Sequence, residues 1–189
     1  TPAVSHTYDT QGNYNVTLTV ADGNGNTDTD DTTAQVTVEP IELFSDSFED
    51  YSLSNWVQDY QHDWFRSTQR ELQGSHSAEV DGRAKDASLT LKNAIDLSNT
   101  AEATLTFSWF IESGLDSGEY VALDLWNGAT WNEVAKLRGN IDAENIWHHE
   151  TVDLGAYQIS DFKLRFRGKM SYSREDANVD TVRITGMPN

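Results

Sequence analysis

Apolar residues in this chain recur at every second position, and no segment holds a helical apolar period over three turns. In one stretch Leu105, Phe107, Trp109 and Ile111 fall on one side, while Thr104, Thr106, Ser108 and Phe110 fall on the other. Successive side chains of a strand point to opposite faces, so this pattern predicts strands with one face to bury. It recurs in Tyr14–Val20, Thr33–Val38, Ser75–Val80, Ala87–Leu91, Ala103–Ile111, Tyr120–Trp126, Glu133–Arg138, His148–Leu154, Phe162–Arg167 and Asn178–Ile184. Phe44–Tyr51 reads as a further strand, the first of the larger domain, anchored by Phe44 and Phe48. Ile141–Asn145 is the one place where a single helical turn is expected. Strands at short spacing with polar turns between them imply an all-β chain whose larger part is a two-sheet sandwich or jelly roll.

Glu39-Pro40 separates two parts, because proline ends a strand. The expected division is residues 1–39 and residues 40–189. The first part carries a turn-rich connection, Asp22-Gly23-Asn24-Gly25-Asn26-Thr27-Asp28. Asp22, Asn24, Asn26, Asp28 and Asp30 recur at alternate positions as in a calcium-binding loop, but Thr33 stands where the bidentate Glu belongs. A solvated turn is the expectation there.

Charge narrows the functions. With 31 Asp and Glu against 13 Lys and Arg, the net charge is −18. Phosphate contacts need clustered cations, so nonspecific nucleic-acid binding and anionic membranes are disfavoured. Cysteine is absent. A loop-rich eukaryotic secreted domain would often carry disulfides, so a bacterial exported protein, secreted to the cell exterior and stabilised by packing and metal ions, is expected. No signal peptide, apolar membrane span or lipidation motif is visible. The start at Thr1-Pro2, inside a strand pattern, leads us to expect covalently attached upstream domains.

Two resemblances follow from motifs in order. His6-Thr7-Tyr8, Gly12-Asn13-Tyr14, Val16-Thr17-Leu18-Thr19-Val20-Ala21-Asp22 and Val36-Thr37-Val38 resemble the second half of a polycystic-kidney-disease (PKD) repeat. That family is a small immunoglobulin-like sandwich used as a spacer in secreted bacterial enzymes. The fold expected from it is a partial PKD sandwich followed by the two-sheet β-jelly roll. From Asp46-Ser47-Phe48-Glu49 onward, through Asp63–Ser67, Gly74–Gly82, Leu105–Phe110, Gly118–Leu123, Trp147–Leu154 and Asn178–Ile184, the chain resembles a MAM-type jelly roll or its bacterial relative, the cleaved-adhesin domain. The absence of cysteine favours the bacterial relative. The resemblance implies adhesion or an accessory role beside a catalytic domain, and bound Ca²⁺.

Candidate sites come next. If the first and last strands lie together, their carboxylates converge and repel unless a cation sits between them. Oxygen-only ligands suit Ca²⁺. The expected structural Ca²⁺ ligands are Asp46, Glu49, Asn178 and Asp180, with Asp81 or Asp86 able to join from the neighbouring loop. The resemblance matches Glu49 and Asp180 to the family's acidic positions. The alternative is solvated strand-edge carboxylates.

A second site is the hairpin Leu125–Trp131. Asn127-Gly128 favours a tight turn there, since both residues tolerate positive φ. Val121, Leu123 and Leu125 should point inward, with Ala122, Asp124 and Trp126 outward. Trp126 is either a stacking platform for a sugar ring or a cross-strand partner of Trp131; for Trp131 the packing role is expected. Lys163, Arg165 and Arg167, on the face opposite Phe162, Leu164 and Phe166, form either a site for an anionic polysaccharide or a salt-bridge ladder with Asp124 and Glu79.

Tyr172 is placed with the ligand-binding residues, while Trp64 is expected in the core and Trp56 and Tyr60 in either role; these aromatics and His62 lie in loops near strand ends. His148 and His149 should face opposite ways and so not chelate one metal. No nucleophile–base constellation is visible. The expected function is a non-catalytic, calcium-stabilised accessory module of a secreted hydrolase or lyase, binding a polysaccharide or cell-surface glycan. The alternative is an adhesin or structural domain of a secreted protease.

Overall fold

The computed structural model describes residues 5–8 and 10–189, which divide into two units, Thr1–Pro40 and Ile41–Asn189. The division falls within one residue of the Glu39-Pro40 linker.

The described part of the first unit is an antiparallel hairpin of β1 (Gly12–Ala21) and β2 (Thr27–Val36), in register from Gly12 opposite Val36 to Ala21 opposite Thr27. Its turn is shorter than the sequence suggested. Asp22 closes it: Oδ1 accepts the N–H groups of Asn24 and Asn26, and Oδ2 accepts Asn26 Nδ2 at 2.6 Å. These bonds, the Asn26 amide first, hold the Asp22 carboxyl below its usual value. Asp28 and Asp30 are strand residues opposite Val20 and Leu18, so the alternating acids do not wrap into a cation loop. The apolar side of β1 has no second sheet over it among the described residues of this unit; Leu18 is 57% and Val20 53% exposed.

The second unit runs β3 (Ile41–Asp46), β4 (Trp56–Gln58), β5 (Trp64–Ser67), β6 (Ser77–Val80), β7 (Lys85–Leu91), β8 (Thr100–Ile111), β9 (Tyr120–Trp126), β10 (Trp131–Arg138), β11 (Trp147–Asp153), β12 (Leu164–Lys169) and β13 (Ala177–Pro188). These strands form two antiparallel sheets, ordered β10-β9-β12-β7-β4 and β11-β8-β13-β6-β5. β13 pairs along β8 on one side; on the other its first half takes β6 and its second half takes β3. First and last strands are therefore neighbours, as the sequence implied. The inner faces carry the predicted alternation: Leu105, Phe107, Trp109 and Ile111 from one sheet meet Val121, Leu123, Leu125, Leu164 and Phe166 from the other, all buried. Phe107 and Phe166, 5.3 Å between ring centroids, join the two layers.

Four local readings change. β3 ends at Asp46, and Phe48 is not a strand residue but turns inward with φ 58° into full burial; Asp46 Oδ1 accepts its N–H at 2.7 Å. β4 and β5 are too short to display an alternation and went unread. The single turn expected at Ile141–Asn145 forms slightly earlier, at Arg138–Asp142, where the Asp142 N–H donates to the Arg138 carbonyl at 3.0 Å and Asp142 Oδ2 accepts the Arg138 N–H. The β9–β10 loop spans residues 127–130, with Asn127 Oδ1 accepting Ala129 and Thr130 N–H. Only Gly128 of the Asn-Gly pair has positive φ, at 89°, because the asparagine serves as an acceptor rather than as a turn centre.

Candidate ligand face and acidic centres

The outer face of the five-stranded sheet is built from register. Arg165 stands opposite Asp124, Arg167 opposite Ala122, Glu133 opposite Asp124 and Trp131 opposite Trp126. Asp124 is the hub, 2% exposed. Its Oδ2 accepts Arg165 Nε at 2.7 Å and Arg167 Nε at 2.6 Å, and its Oδ1 accepts Arg167 Nη2 at 2.9 Å. Arg167 also donates to Asp86 and to Glu133, both at 2.8 Å. Lys136 pairs with Glu133 at 2.8 Å. Burial alone would push the Asp124 carboxyl up, but the Arg167 and Arg165 hydrogen bonds outweigh it and hold the group down. Hydrogen bonding to Asp124 raises Arg167 further still. Tyr120 donates to Asp86, and burial followed by that carboxylate pushes its phenol up to about 12.

Aromatic rings lie under the cations. The Arg165 guanidinium sits 4.5 Å over Trp131, and Lys136 Nζ 4.1 Å over Tyr120. Trp126 and Trp131 are cross-strand partners 5.6 Å apart, and Trp126 Nε1 is held by Asp161 Oδ2 at 3.2 Å. Both indoles are half-buried. Trp131 thus takes the packing role read from the sequence, and Trp126 combines packing with partial exposure.

The structure divides the expected ligand residues. Arg165 and Arg167 form the ladder with Asp124, while Glu79 belongs to the other sheet and takes no part. Lys163 Nζ turns to the Lys92 carbonyl at 3.1 Å, near Trp126. Tyr172 is exposed but lies beyond Lys169, at the end of β12 opposite Trp126. Lys163 and Lys169 are six residue steps apart along the chain, roughly 20 Å when extended. Trp56 is buried and Trp64 is core, whereas Tyr60 is exposed. His148 bonds the Ala143 carbonyl and His149 the Ser108 hydroxyl, so they do not share a ligand.

The residues of the expected clasp, Asp46, Glu49, Asn178 and Asp180, each take hydrogen-bond partners within the chain. Asp46 Oδ2 accepts Asn55 Nδ2 and Trp56 Nε1. Glu49 Oε1 accepts the Ser75 and His76 N–H groups, Ser75 first in holding its carboxyl low. Asp180 Oδ2 accepts Leu72 and Gln73 N–H. Arg66 already occupies the Phe48 and Glu49 carbonyls, at 2.6 and 2.9 Å. Asn178 turns to Ser77 and Glu79 instead. Asp46 and Glu49 line an open cleft of about 390 Å³ with Asp50, Asn55 and Gln73, but the four do not meet at a point. The reason is that turn N–H groups, invisible to a side-chain reading, claim the carboxylates.

Among the described residues two other groups bring three acids together: Glu79, Asp81 and Asp176, and Asp116, Glu119 and Glu175. The second group is well supplied with donors, since Asp116 N–H binds Glu119 and the Ser171 and Tyr172 N–H groups bind Glu175. Asp176 went unread in the sequence. The available signal was the acid pair Glu175-Asp176 two residues before Asn178, which the β6–β13 register sets beside Asp81.

Residues 1–38 match the family model of the PKD domain. No curated protein matches the chain significantly. Several solved structures share the fold. The CBM22-1 xylan-binding domain from Paenibacillus barcinonensis Xyn10C has a TM-score of 0.56 at 14% identity, over 82% of this chain and 99% of that one. The K3 cleaved adhesin domain of Lys-gingipain from Porphyromonas gingivalis gives 0.56 at 18%, over 78% and 99%. A family 16 carbohydrate-binding module gives 0.55 at 16%, over 75% and 98%. The chain is all-β with the sandwich of carbohydrate-binding and adhesin modules. Among the described residues no helix is long and apolar enough to cross a membrane.

Proposed function

We propose that residues 41–189 are a non-catalytic module that binds a polysaccharide across the outer face of the five-stranded sheet, as an accessory to a secreted bacterial enzyme. The observation that carries this is the half-open Trp126 ring, fixed by Asp161 and by Trp131, at the end of the Arg165–Asp124–Arg167 ladder. A fixed indole offers an apolar face to a sugar ring, and the ladder offers donors and acceptors for its hydroxyls. The ladder's cations Lys136, Arg165 and Arg167 meet the acids Asp86, Asp124 and Glu133. Three positive charges against three negative ones favour a neutral polysaccharide over an anionic one. The fold shared with xylan-binding and other carbohydrate-binding modules supports the reading.

The test is calorimetric titration with neutral polysaccharides, xylan among them, beside an acidic one. Binding to a neutral chain should weaken about tenfold in Trp126→Ala, equivalent to about 1.4 kcal/mol, with the melting temperature little changed. Unchanged affinity removes Trp126 from the site. A second reading, an adhesin or structural module, draws on the fact that both arginines of the ladder are already paired; it predicts binding to a protein or cell surface with no response to any glycan.

A further inference from the structure

We propose that Glu79, Asp81 and Asp176 form a divalent-cation site, with Ca²⁺ as its occupant. Antiparallel pairing sets Asn178 opposite Glu79 and Ala177 opposite Val80, so Asp176 and Asp81 follow as the next pair where β6 and β13 begin to part. One oxygen from each of the three carboxylates lies within 4.8 Å of the others.

Acid clusters are common on protein surfaces, and two facts set this one apart. It is largely buried: Glu79 is 2%, Asp176 6% and the adjoining Asn178 0% exposed, with Asp81 half-buried at the rim. And it has bare oxygens. Asp81 Oδ1, Asp176 Oδ1 and Asn178 Oδ1 are buried without a hydrogen-bond partner, and among the described residues no other side-chain atom is in that condition. Buried polar atoms normally find partners; three acceptors left bare in one place, all oxygen, call for a shared positive charge.

The donors nearby serve other atoms. Gln69 Nε2 reaches Asp176 Oδ2 at 3.2 Å and Glu112 Oε1 at 3.0 Å. Arg70 spends its charge on Glu112 at 2.7 Å. Asn178 Nδ2 binds Glu79 Oε2 at 3.2 Å. Three carboxylates with oxygens this close repel one another. The group is electrostatically unfavourable by itself, and a cation removes both faults. Carboxylate and carbonyl oxygens without His or Cys suit a hard ion; Ca²⁺ accepts irregular oxygen sets where Mg²⁺ demands an octahedron and keeps its waters. The site ties β6 to β13 and shares only Asn178 with the expected terminal clasp.

The experiment is thermal unfolding of the whole chain, stripped with EDTA and then titrated with CaCl₂ to about 1 mM, in the range of extracellular Ca²⁺ modules. The wild type should gain several degrees. Asp176→Asn should melt above the stripped wild type, since a repelling charge is gone, and should lose the calcium response. Asp81→Asn, at the more exposed member, repeats the readout if the first variant does not fold. Glu49→Gln should keep the response. No shift in the wild type means that the acids hold a shared proton, and this overturns the site. A response that survives in both Asp variants but vanishes in Glu49→Gln returns the ion to the clasp and overturns it equally. Neither result bears on glycan binding, which is read separately.

Discussion

At the scale of single residues, Asp124 decides the chemistry of the outer face. A carboxylate 2% exposed would be costly alone; here it accepts three hydrogen bonds from two guanidiniums. Its folded pKa lies below its unfolded value of about 3.9. A depressed acid stabilises the fold fully above the unfolded pKa, and the contribution is lost as pH falls through the folded one. Asp124→Asn keeps the shape but removes the charge, so it should cost about 2–3 kcal/mol at pH 7. Below pH 4 the gap between wild type and variant should narrow, since protonation then makes Asp124 neutral too. Urea titrations from pH 7 to pH 2.5 measure this, and a gap that stays constant would show that the charge of Asp124 contributes nothing. Alternation alone put Arg165, Arg167 and Asp124 on one face. That the acid outweighs the exposed role expected of it depends on β9 and β12 being neighbours, and sequence order does not say which distant strands pair.

Between elements, β12 of one sheet meets β6 of the other at a glycine. Gly168 follows Leu164 and Phe166 on the inward side of β12, and a Cβ there would lie 2.6 Å from Val80 Cγ2. Gly168→Ala should therefore overpack the core and cost about 1–3 kcal/mol. Val80→Ala alone costs stability by leaving a cavity. Together the two changes should cost less than their sum, because the methyl removed from one sheet makes room for the one added to the other. Strict additivity in the double-mutant cycle would place Val80 and Gly168 out of contact. Strand positions were readable from period-two patterns for β8, β9, β11, β12 and β13, each within a few residues. β4 and β5, three and four residues long, carry no period to read. In β2 the acids of Thr27–Asp31 looked like loop, because backbone pairing with β1 overrides composition. The residues of the proposed cation centre were half legible for a similar reason: Asn178 and Asp81 were named, but Asp176 joins them only through the β6–β13 register.

Over the whole molecule the excess of acids sets how the fold answers to salt. A net charge of −18 on 189 residues puts long-range repulsion into the folded state, which the expanded unfolded chain partly escapes. Against it stand a modest number of ion pairs, and the exposed ones are each worth about 0–1 kcal/mol. Raising ionic strength from 0.01 M to 0.15 M shortens the Debye length from about 30 Å to about 8 Å. Contacts such as Arg165–Asp124 at 2.7 Å lie well inside either length and are partly buried, so they are little screened. Repulsion between carboxylates spread over the surface acts across longer distances and is mostly removed. The balance predicts that NaCl raises the melting temperature of the EDTA-stripped chain over this range. Sodium at that concentration does not supply the divalent charge that the Glu79 centre calls for, so the rise should persist in Asp176→Asn and be additive with the calcium effect in the wild type. A melting temperature that falls with NaCl would mean that attractions between exposed charges, which salt does screen, outweigh the net repulsion of the acids.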